Sequence, residues 1–292
     1  MVVESAVVRD LVAGTCAGAA QLVVGFPFDT VKVKLQNAPA GHYGSVMDAV
    51  RHTLAEHGSS GLFKGMGVPL ATVAVFNAVL FSINGVMRKV VAAASGLHAN
   101  QVDSFSVAQF AACGAGAGVG VSILATPTEL IKCRLQAAAK GVYKGPIDVA
   151  KQLLASAGPA GLFRGYVPTV MREVPGCAIY FATYEGLKKA FAKQKDVSVA
   201  QLGTAEIMTS GSLAGLAFWC SVYPADVVKT LIQTDSDTHP RFRSTWHCLR
   251  EIVAKDGVRA LYRGAAPCFV RAAPSNAVCF VVYEGVARFL AG

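Results

Sequence analysis

The stretch "GFPFDTVKVKLQ", residues 25–36, ends an apolar run with a proline, an acid, two lysines and a glutamine. The same spacing recurs in "TPTELIKCRLQ" (126–136) and "YPADVVKTLIQ" (223–233), so the period is about 100 residues. A second motif follows each copy: "GLFKG" at 61–65, "GLFRG" at 161–165 and "ALYRG" at 260–264. Two motifs that keep their offsets three times indicate an internal repeat. We therefore divide the chain into repeats at 1–100, 101–199 and 200–292.

Composition indicates a membrane protein. The 292 residues are 53% hydrophobic and only 15% charged, and the mean hydropathy is +0.45. Four windows contain no Asp, Glu, Lys or Arg: 11–28, 65–87, 104–128 and 207–225. Each is close to the roughly 20 residues that cross a hydrocarbon core. Two further apolar stretches, 166–184 and 265–283, are interrupted by charges, so we predict an all-α protein with two membrane-spanning helices per repeat and six in all.

Other function classes fit poorly. The net charge of +9 suits a protein beside anionic lipid. A nucleic-acid binder would need a basic face on a soluble fold, whereas here the basic residues cluster at helix ends. The eight cysteines form no CxxC pair and have no histidine at metal-ligand spacing, so no metal site or cofactor is predicted. No Ser/His or Cys/His pattern indicates an enzyme.

The repeated prolines explain the charges beside them. A proline bends a helix because it lacks an N–H and crowds the preceding turn. Three bent helices around a threefold axis would converge, and an acid and a lysine three residues apart share one helical face. Charges at membrane depth must pair or face water. We therefore predict a gate made of a ring of ion pairs from Asp29, Lys32, Glu129, Lys132, Asp226 and Lys229.

The motif resembles the signature of the mitochondrial carrier family, Pro-x-[Asp/Glu]-x-x-[Lys/Arg]-x-[Lys/Arg]-x-Gln in three copies, and the resemblance covers the whole chain. Copy three departs from it at Leu231, where a second basic residue is expected. The resemblance implies a monomeric carrier of the mitochondrial inner membrane with short matrix-side helices and bound cardiolipin. It also implies that the ring is the matrix gate, with bridges Asp29–Lys132, Glu129–Lys229 and Asp226–Lys32, braced by Gln36, Gln136 and Gln233.

The family also has a cytoplasmic gate, with the motif aromatic-acid-x-x-basic on the second helix of each repeat. Tyr184-Glu185 with Lys188 matches this motif. The third repeat has the acid, Glu284, but no base, because Ala287 stands at the basic position of the motif. The first repeat has the base, Arg88, but no acid. At most two of the three bridges can form, so we expect this gate to be weaker than the matrix gate.

The substrate site is predicted from charges inside the apolar helices. When the repeats are superposed on the glycines of their second motif, Thr72, Arg172 and Arg271 are equivalent, and Glu173 follows Arg172. Two arginines would bind a carboxylate, while Glu173 would bind a cation, so the site suits a small zwitterionic metabolite. The structural alternative is an ion pair, Arg172–Glu173 or Glu173–Arg271, that only holds helices together.

The Arg-acid pair and the second arginine resemble the amino-acid and carnitine branch of the family. Ornithine-type carriers have an acid where this chain has Phe76, and acylcarnitine carriers have a histidine where it has Phe26. Neither type fits fully. The sequence therefore favours exchange of amino acids, ornithine-type or other zwitterionic ones, by alternating access, with a carnitine/acylcarnitine carrier as the alternative.

Overall fold

The structure is a computed structural model that describes residues 2–39, 42–96, 104–138, 142–236 and 240–290. Side chains are described from residue 12 onward, except at positions 200, 273, 280, 284, 287 and 288. Over these residues the chain forms nine α-helices and no strand. They are α1 (Val2–Asn37), α2 (Val46–His57), α3 (Gly67–Ala94), α4 (Val107–Ala137), α5 (Pro146–Gly161), α6 (Tyr166–Lys195), α7 (Thr204–Thr234), α8 (Thr245–Asp256) and α9 (Ala265–Phe289). The predicted all-α class is confirmed.

Each repeat contributes two long helices with a shorter helix between them. The long helices contain 25 to 36 residues, and the repeated prolines lie inside α1, α4 and α7 as predicted. By length and composition alone, three described segments are apolar enough to cross a membrane: Ser59–Ala94, Val107–Ala137 and Val258–Tyr283. The helix α6 carries Arg172 and Glu173 in its apolar part, which lowers its hydropathy.

The shorter helices have well-defined ends. The Ser45 hydroxyl accepts a hydrogen bond from the Asp48 backbone N–H at 3.1 Å at the start of α2, and the Ser244 hydroxyl does the same for His247 at the start of α8. Such caps satisfy backbone donors that a helix leaves open. Near their other ends lie glycines with left-handed φ of 64° to 75°, a conformation that favours glycine; these are Gly58, Gly158 and Gly257.

The described chain divides into two compact units. The first comprises Met1–Val75, Pro127–Arg164 and Thr230–Gly292, and the second comprises Phe76–Thr126 and Gly165–Lys229. In the first unit α1 packs along α9, and the start of α5 packs on the end of α4 through Leu130, Leu135, Val149 and Leu153. In the second unit, Phe105, Phe110 and Cys113 pack with Ala92. Each unit therefore draws on all three repeats.

The basic residue of the second motif joins neighbouring repeats within the first unit. In each repeat this side chain donates to a backbone carbonyl at the end of the first long helix of the next repeat, where carbonyls lack helical partners. The three contacts are Lys64 to Ala138 at 2.9 Å, Arg164 to Ser236 at 2.8 Å and Arg263 to Ala38 at 3.0 Å. The second motif of each repeat therefore contacts the end of the first long helix of another repeat.

Candidate functional site

Asp29 lies at the centre of a charged cluster in the first unit. Its Oδ2 accepts from Lys132 Nζ at 2.8 Å, and its Oδ1 lies 3.1 Å from Arg271 Nη1. The Lys132 ammonium also lies 4.8 Å from the centre of the Phe26 ring, within cation–π range. The ion pair between Asp29 and Lys132 that the family resemblance implies is therefore present, and its role in a gate stays a prediction. A contact between Asp29 and Arg271 was not predicted.

The three glutamines of the motif are buried, and Gln136 contacts the residue that follows Asp29. Gln136 Nε2 donates to the Thr30 hydroxyl at 3.0 Å, and that hydroxyl donates to the Leu62 carbonyl at 2.7 Å. Gln36 is 2% exposed and Gln233 is fully buried. The structure thus positions Gln136 against the residue that follows Asp29, and the bracing role of all three glutamines stays a prediction.

Arg172 and Glu173 form a second buried cluster, in the second unit. Their side chains contact each other, and Arg172 Nη1 donates to Asp226 Oδ1 at 3.4 Å. Cys177, one turn along α6, lies with its sulfur 3.8 Å from the second oxygen of Glu173. All four residues are buried. A proposed substrate arginine therefore contacts a gate acid here too, as Arg271 does at Asp29.

The structure changes the charge balance that the sequence predicts for the substrate site. The predicted site set two arginines against one glutamate, which left positive charge in excess. The structure adds Asp29 to Arg271 and Asp226 to Arg172. No sequence motif indicates these contacts, because they depend on how α9 is turned towards α1 and α7 towards α6.

Two glycines of α4 support the second cluster. A Cβ at Gly118 would lie 2.6 Å from the Glu173 carbonyl oxygen, and one at Gly114 would overlap the Cys177 carbonyl oxygen. The backbones of α4 and α6 can approach this closely only because both positions lack a side chain. Gly116 and Gly120 instead face side chains of α3. Gly114 and Gly118 lie four residues apart in the sequence, and this spacing therefore has a direct relation to Glu173.

Three of the predicted cytoplasmic gate residues meet in the second unit. Arg88 Nη2 lies 2.8 Å from Glu185 Oε1, and Lys188 Nζ lies 3.1 Å from the other oxygen of Glu185. Arg88 also donates to Asn84 Oδ1 at 2.9 Å, one turn back on α3. One acid thus contacts two bases. The Glu284 side chain lies outside the described residues.

The remaining predicted residues are distributed between the units. The Thr72 hydroxyl donates to the Val68 carbonyl of its own helix at 2.9 Å. Thr72 and Arg271 belong to the first unit, while Arg172 and Glu173 belong to the second. The bridges Glu129–Lys229 and Asp226–Lys32 would each join a residue of one unit to a residue of the other, and they stay predictions.

Long helices with an internal proline in each repeat, together with the ion pair between Asp29 and Lys132, are the features expected of a membrane solute carrier. A family model described as mitochondrial carrier protein matches the chain three times, at residues 3–94, 103–195 and 200–292. The chain therefore belongs to the mitochondrial carrier family, as its signature motif predicts. It is a transporter of the mitochondrial inner membrane.

Curated relatives resemble the chain over nearly its full length. A mitochondrial carnitine/acylcarnitine carrier-like protein of Arabidopsis thaliana is 46% identical, over 94% of this chain and 96% of the relative. The mitochondrial carnitine/acylcarnitine carrier of Mus musculus is 36% identical, over 97% and 94%. A mitochondrial glycine transporter of Saccharomyces cerevisiae is 35% identical, over 97% and 92%.

Proposed function

We propose that this carrier exchanges small zwitterions, with amino acids that carry a single ammonium as the leading substrates. The observation that supports this most is that the proposed substrate residues are charged and paired inside the long helices: Arg271 lies against Asp29 in the first unit, and Arg172 lies against Glu173 and Asp226 in the second. The arginines would meet a substrate carboxylate, and Glu173 would meet a substrate cation.

Arg271 would bind the substrate carboxylate, because a guanidinium can form two parallel hydrogen bonds to it. Asp29 now occupies one side of that guanidinium, so an entering carboxylate competes with Asp29. Glu173 would bind the substrate cation through its buried carboxylate, in competition with Arg172, which it contacts in this structure. The substrate therefore exchanges contacts with the groups that hold the matrix gate.

This competition links binding to alternating access. When the substrate carboxylate takes Arg271, Asp29 keeps Lys132 as its partner but loses one of its two cations, and the matrix gate is weakened. The free energy of substrate binding then offsets the cost of separating the remaining gate pairs. The pair of Arg88 and Glu185 would belong to the cytoplasmic gate, which would open and close in alternation with the matrix gate.

The preference for amino acids rests on two apolar positions. Phe76 stands where ornithine-type carriers have an acid, so a second substrate ammonium would have no carboxylate there, and burying it without one is costly. Phe26 is fully buried and lies against Lys132, at the position where acylcarnitine carriers have a histidine. A mitochondrial glycine transporter and a glutamate/glycine carrier are among the relatives.

Carnitine and its esters are the second candidate. The Arabidopsis relative at 46% identity bears the name carnitine/acylcarnitine carrier-like protein, and carnitine is itself a zwitterion with one carboxylate and one cationic centre. The carnitine cation carries no N–H group, so it would interact with the Glu173 carboxylate electrostatically and without a hydrogen bond. The two candidates thus share the clusters and differ in the group beside Glu173.

We also propose that cardiolipin binds at the starts of the second long helices. The residues before them, Gly65, Gly165 and Gly264, have left-handed φ of 80° to 86°, and Gly165 caps α6 without a side-chain hydrogen bond. Backbone N–H groups at such helix starts suit a phosphate.

Variants of the clusters test the proposal. Arg271→Gln and Glu173→Gln, reconstituted in liposomes, are expected to lose exchange of zwitterions while they keep the helical content of the unchanged protein. Arg259→Gln is the matched control, since Arg259 is an exposed arginine of the 3-10 turn Val258–Tyr262. Normal exchange by either cluster variant would overturn the assigned site.

A further inference from the structure

A cavity in the first unit lies between α5 and the ends of α4 and α7, the ends that carry the predicted matrix gate. Its volume is about 460 Å³, which falls within the roughly 300–1,000 Å³ of small-molecule sites. Val149 and Leu153 of α5 form an apolar part of its wall. One base and three neutral hydrogen-bonding side chains also line it: Arg134, Tyr143, Gln152 and Ser156. This composition suits a small organic anion.

Repeat 1 shows which group stands opposite the equivalent base. Lys34 corresponds to Arg134, and Glu56 corresponds to Ser156, both at the offset of 100 residues that relates the motifs of the two repeats. In repeat 1 the two residues form an ion pair, in which Lys34 Nζ donates to Glu56 Oε2 at 3.4 Å. In repeat 2 a neutral hydroxyl stands where repeat 1 has the carboxylate, and this hydroxyl lines the cavity.

The third repeat differs at the base instead of the acid. Leu231 stands at the position of Lys34 and Arg134, so repeat 3 has no charge there for an acid to match. Repeat 2 is therefore the repeat that combines a base at the first position with a neutral residue at the second. The cavity adjoins this combination.

Arg134 is buried and reaches across to the end of α7. Its Nε donates to the Gln233 carbonyl at 3.0 Å, and its Nη2 donates to the Asp235 carbonyl at 3.4 Å. The Asp235 carboxylate, which also lies at the cavity, forms an ion pair with Arg164 at 3.1 Å. A guanidinium has five N–H groups in a planar fork, so Arg134 can bind these carbonyls and an oxyanion at once. Burial of its charge favours an anionic partner.

We propose that this cavity binds a small carboxylate anion, whose carboxylate has the position relative to Arg134 that the Glu56 carboxylate has relative to Lys34. Arg134 would form a charge-assisted hydrogen bond to the ligand. The hydroxyls of Ser156 and Tyr143 can donate further hydrogen bonds, and the carbon chain would lie against the apolar wall. None of the proposed substrate residues lines the cavity in the described chain, so the proposal does not rest on the proposed substrate.

Thermal unfolding of the purified full chain in detergent tests binding, with succinate as the probe. A ligand that binds the folded protein raises the unfolding temperature as its concentration increases. We expect a saturable rise with succinate, and none with its neutral analogue succinamide or with sodium chloride at the same ionic strength. Equal effects of succinate and sodium chloride would overturn the proposal.

Charge removal locates the bound anion. Arg134→Gln should raise the succinate concentration of half-maximal effect by at least about tenfold, because a hydrogen bond to a charged group contributes that much affinity. Lys151→Gln is the matched control, since it removes the same charge from an exposed position of α5 that does not line the cavity. Arg271→Gln should also keep the response. A response that Arg134→Gln keeps, or that Arg271→Gln loses, would show that succinate binds elsewhere.

Ser156→Glu provides a second test that keeps Arg134 in place. The new carboxylate stands where repeat 1 has Glu56, so it should raise the unfolding temperature in the absence of succinate and abolish the succinate response. Ser156→Gln, which is neutral and nearly the same size as the glutamate variant, should not raise the unfolding temperature. A Ser156→Glu protein that responds to succinate like the unchanged protein would contradict the proposed site.

Discussion

Replacing Gly118 by alanine should disturb the substrate site without any change to a charged residue. The new Cβ would lie 2.6 Å from the Glu173 carbonyl oxygen and 2.8 Å from the Val174 Cα, whereas ordinary contact begins at 3.4 Å. The backbone of α6 must therefore move by roughly 0.8 Å, because backbone atoms cannot rotate out of the way. Arg172 and Glu173 move with it.

The size of the effect follows from two opposing contributions. Overpacking of this kind costs about 1–3 kcal/mol, while alanine in place of glycine favours the helix by about 1 kcal/mol. The fold should survive, with a stability loss of at most about 2 kcal/mol. Displacement of charged groups by about 1 Å can cost up to 100-fold where geometry matters, so we expect exchange to fall by at least about tenfold.

Gly120→Ala is the matched control. Its Cβ would overlap the terminal Cδ1 of Ile83, a flexible atom that a rotamer change removes. Both variants share the gain in helix propensity, so their difference isolates the contact with α6. The assay is exchange in proteoliposomes, with thermal unfolding in detergent as the check on folding. Equal exchange rates for two folded variants would refute the idea that Gly118 positions Glu173.

Three further results are expected. Arg172→Gln leaves the buried carboxylates of Glu173 and Asp226 without their guanidinium, so the free energy of unfolding should fall by about 3–5 kcal/mol; an unchanged thermal transition would contradict the Arg172–Asp226 contact. Arg164→Gln removes the donor to the Ser236 carbonyl and to a buried carboxylate, and should cost about 1–3 kcal/mol where Lys255→Gln costs nothing measurable. Burial raises the pKa of the Cys248 thiol from its ordinary value of 9.0 to about 12, and the thiolate is the reactive form. Its peptide should therefore stay unalkylated at pH 9 in the folded protein and react after unfolding, as followed by mass spectrometry.

Much of this fold is predictable because repetition multiplies a weak signal. One proline beside an acid is uninformative, but three copies with constant offsets define the repeats, and the two motifs place long and short helices in each. The repeats predict that an acid of one repeat meets a lysine of another, and the family resemblance specifies the pair Asp29–Lys132. The four-residue spacing of the glycines in α4 likewise indicates close helix packing.

The contacts that the sequence did not predict depend on how each helix is rotated about its own axis. Arg271 reaches Asp29 because Gly25 leaves space for its side chain: a Cβ there would lie 3.0 Å from Arg271 Cδ. No residue spacing within α1 or α9 indicates that Arg271 contacts Asp29. Likewise, the contact of Arg172 with Asp226 joins α6 to α7, and a one-dimensional pattern cannot tell which of two faces turns inward.

The most direct test of the proposed substrate residues is exchange by the unchanged protein in proteoliposomes, loaded internally and offered labelled glycine, glutamate, ornithine, carnitine or ATP. The proposed function predicts exchange of a zwitterion with a single cationic centre, weak exchange of ornithine and none of ATP. Exchange of carnitine with inert amino acids would select the second candidate and keep the site. Exchange of ATP, with every zwitterion inert, would contradict the assignment of Arg172, Glu173 and Arg271 as the substrate site.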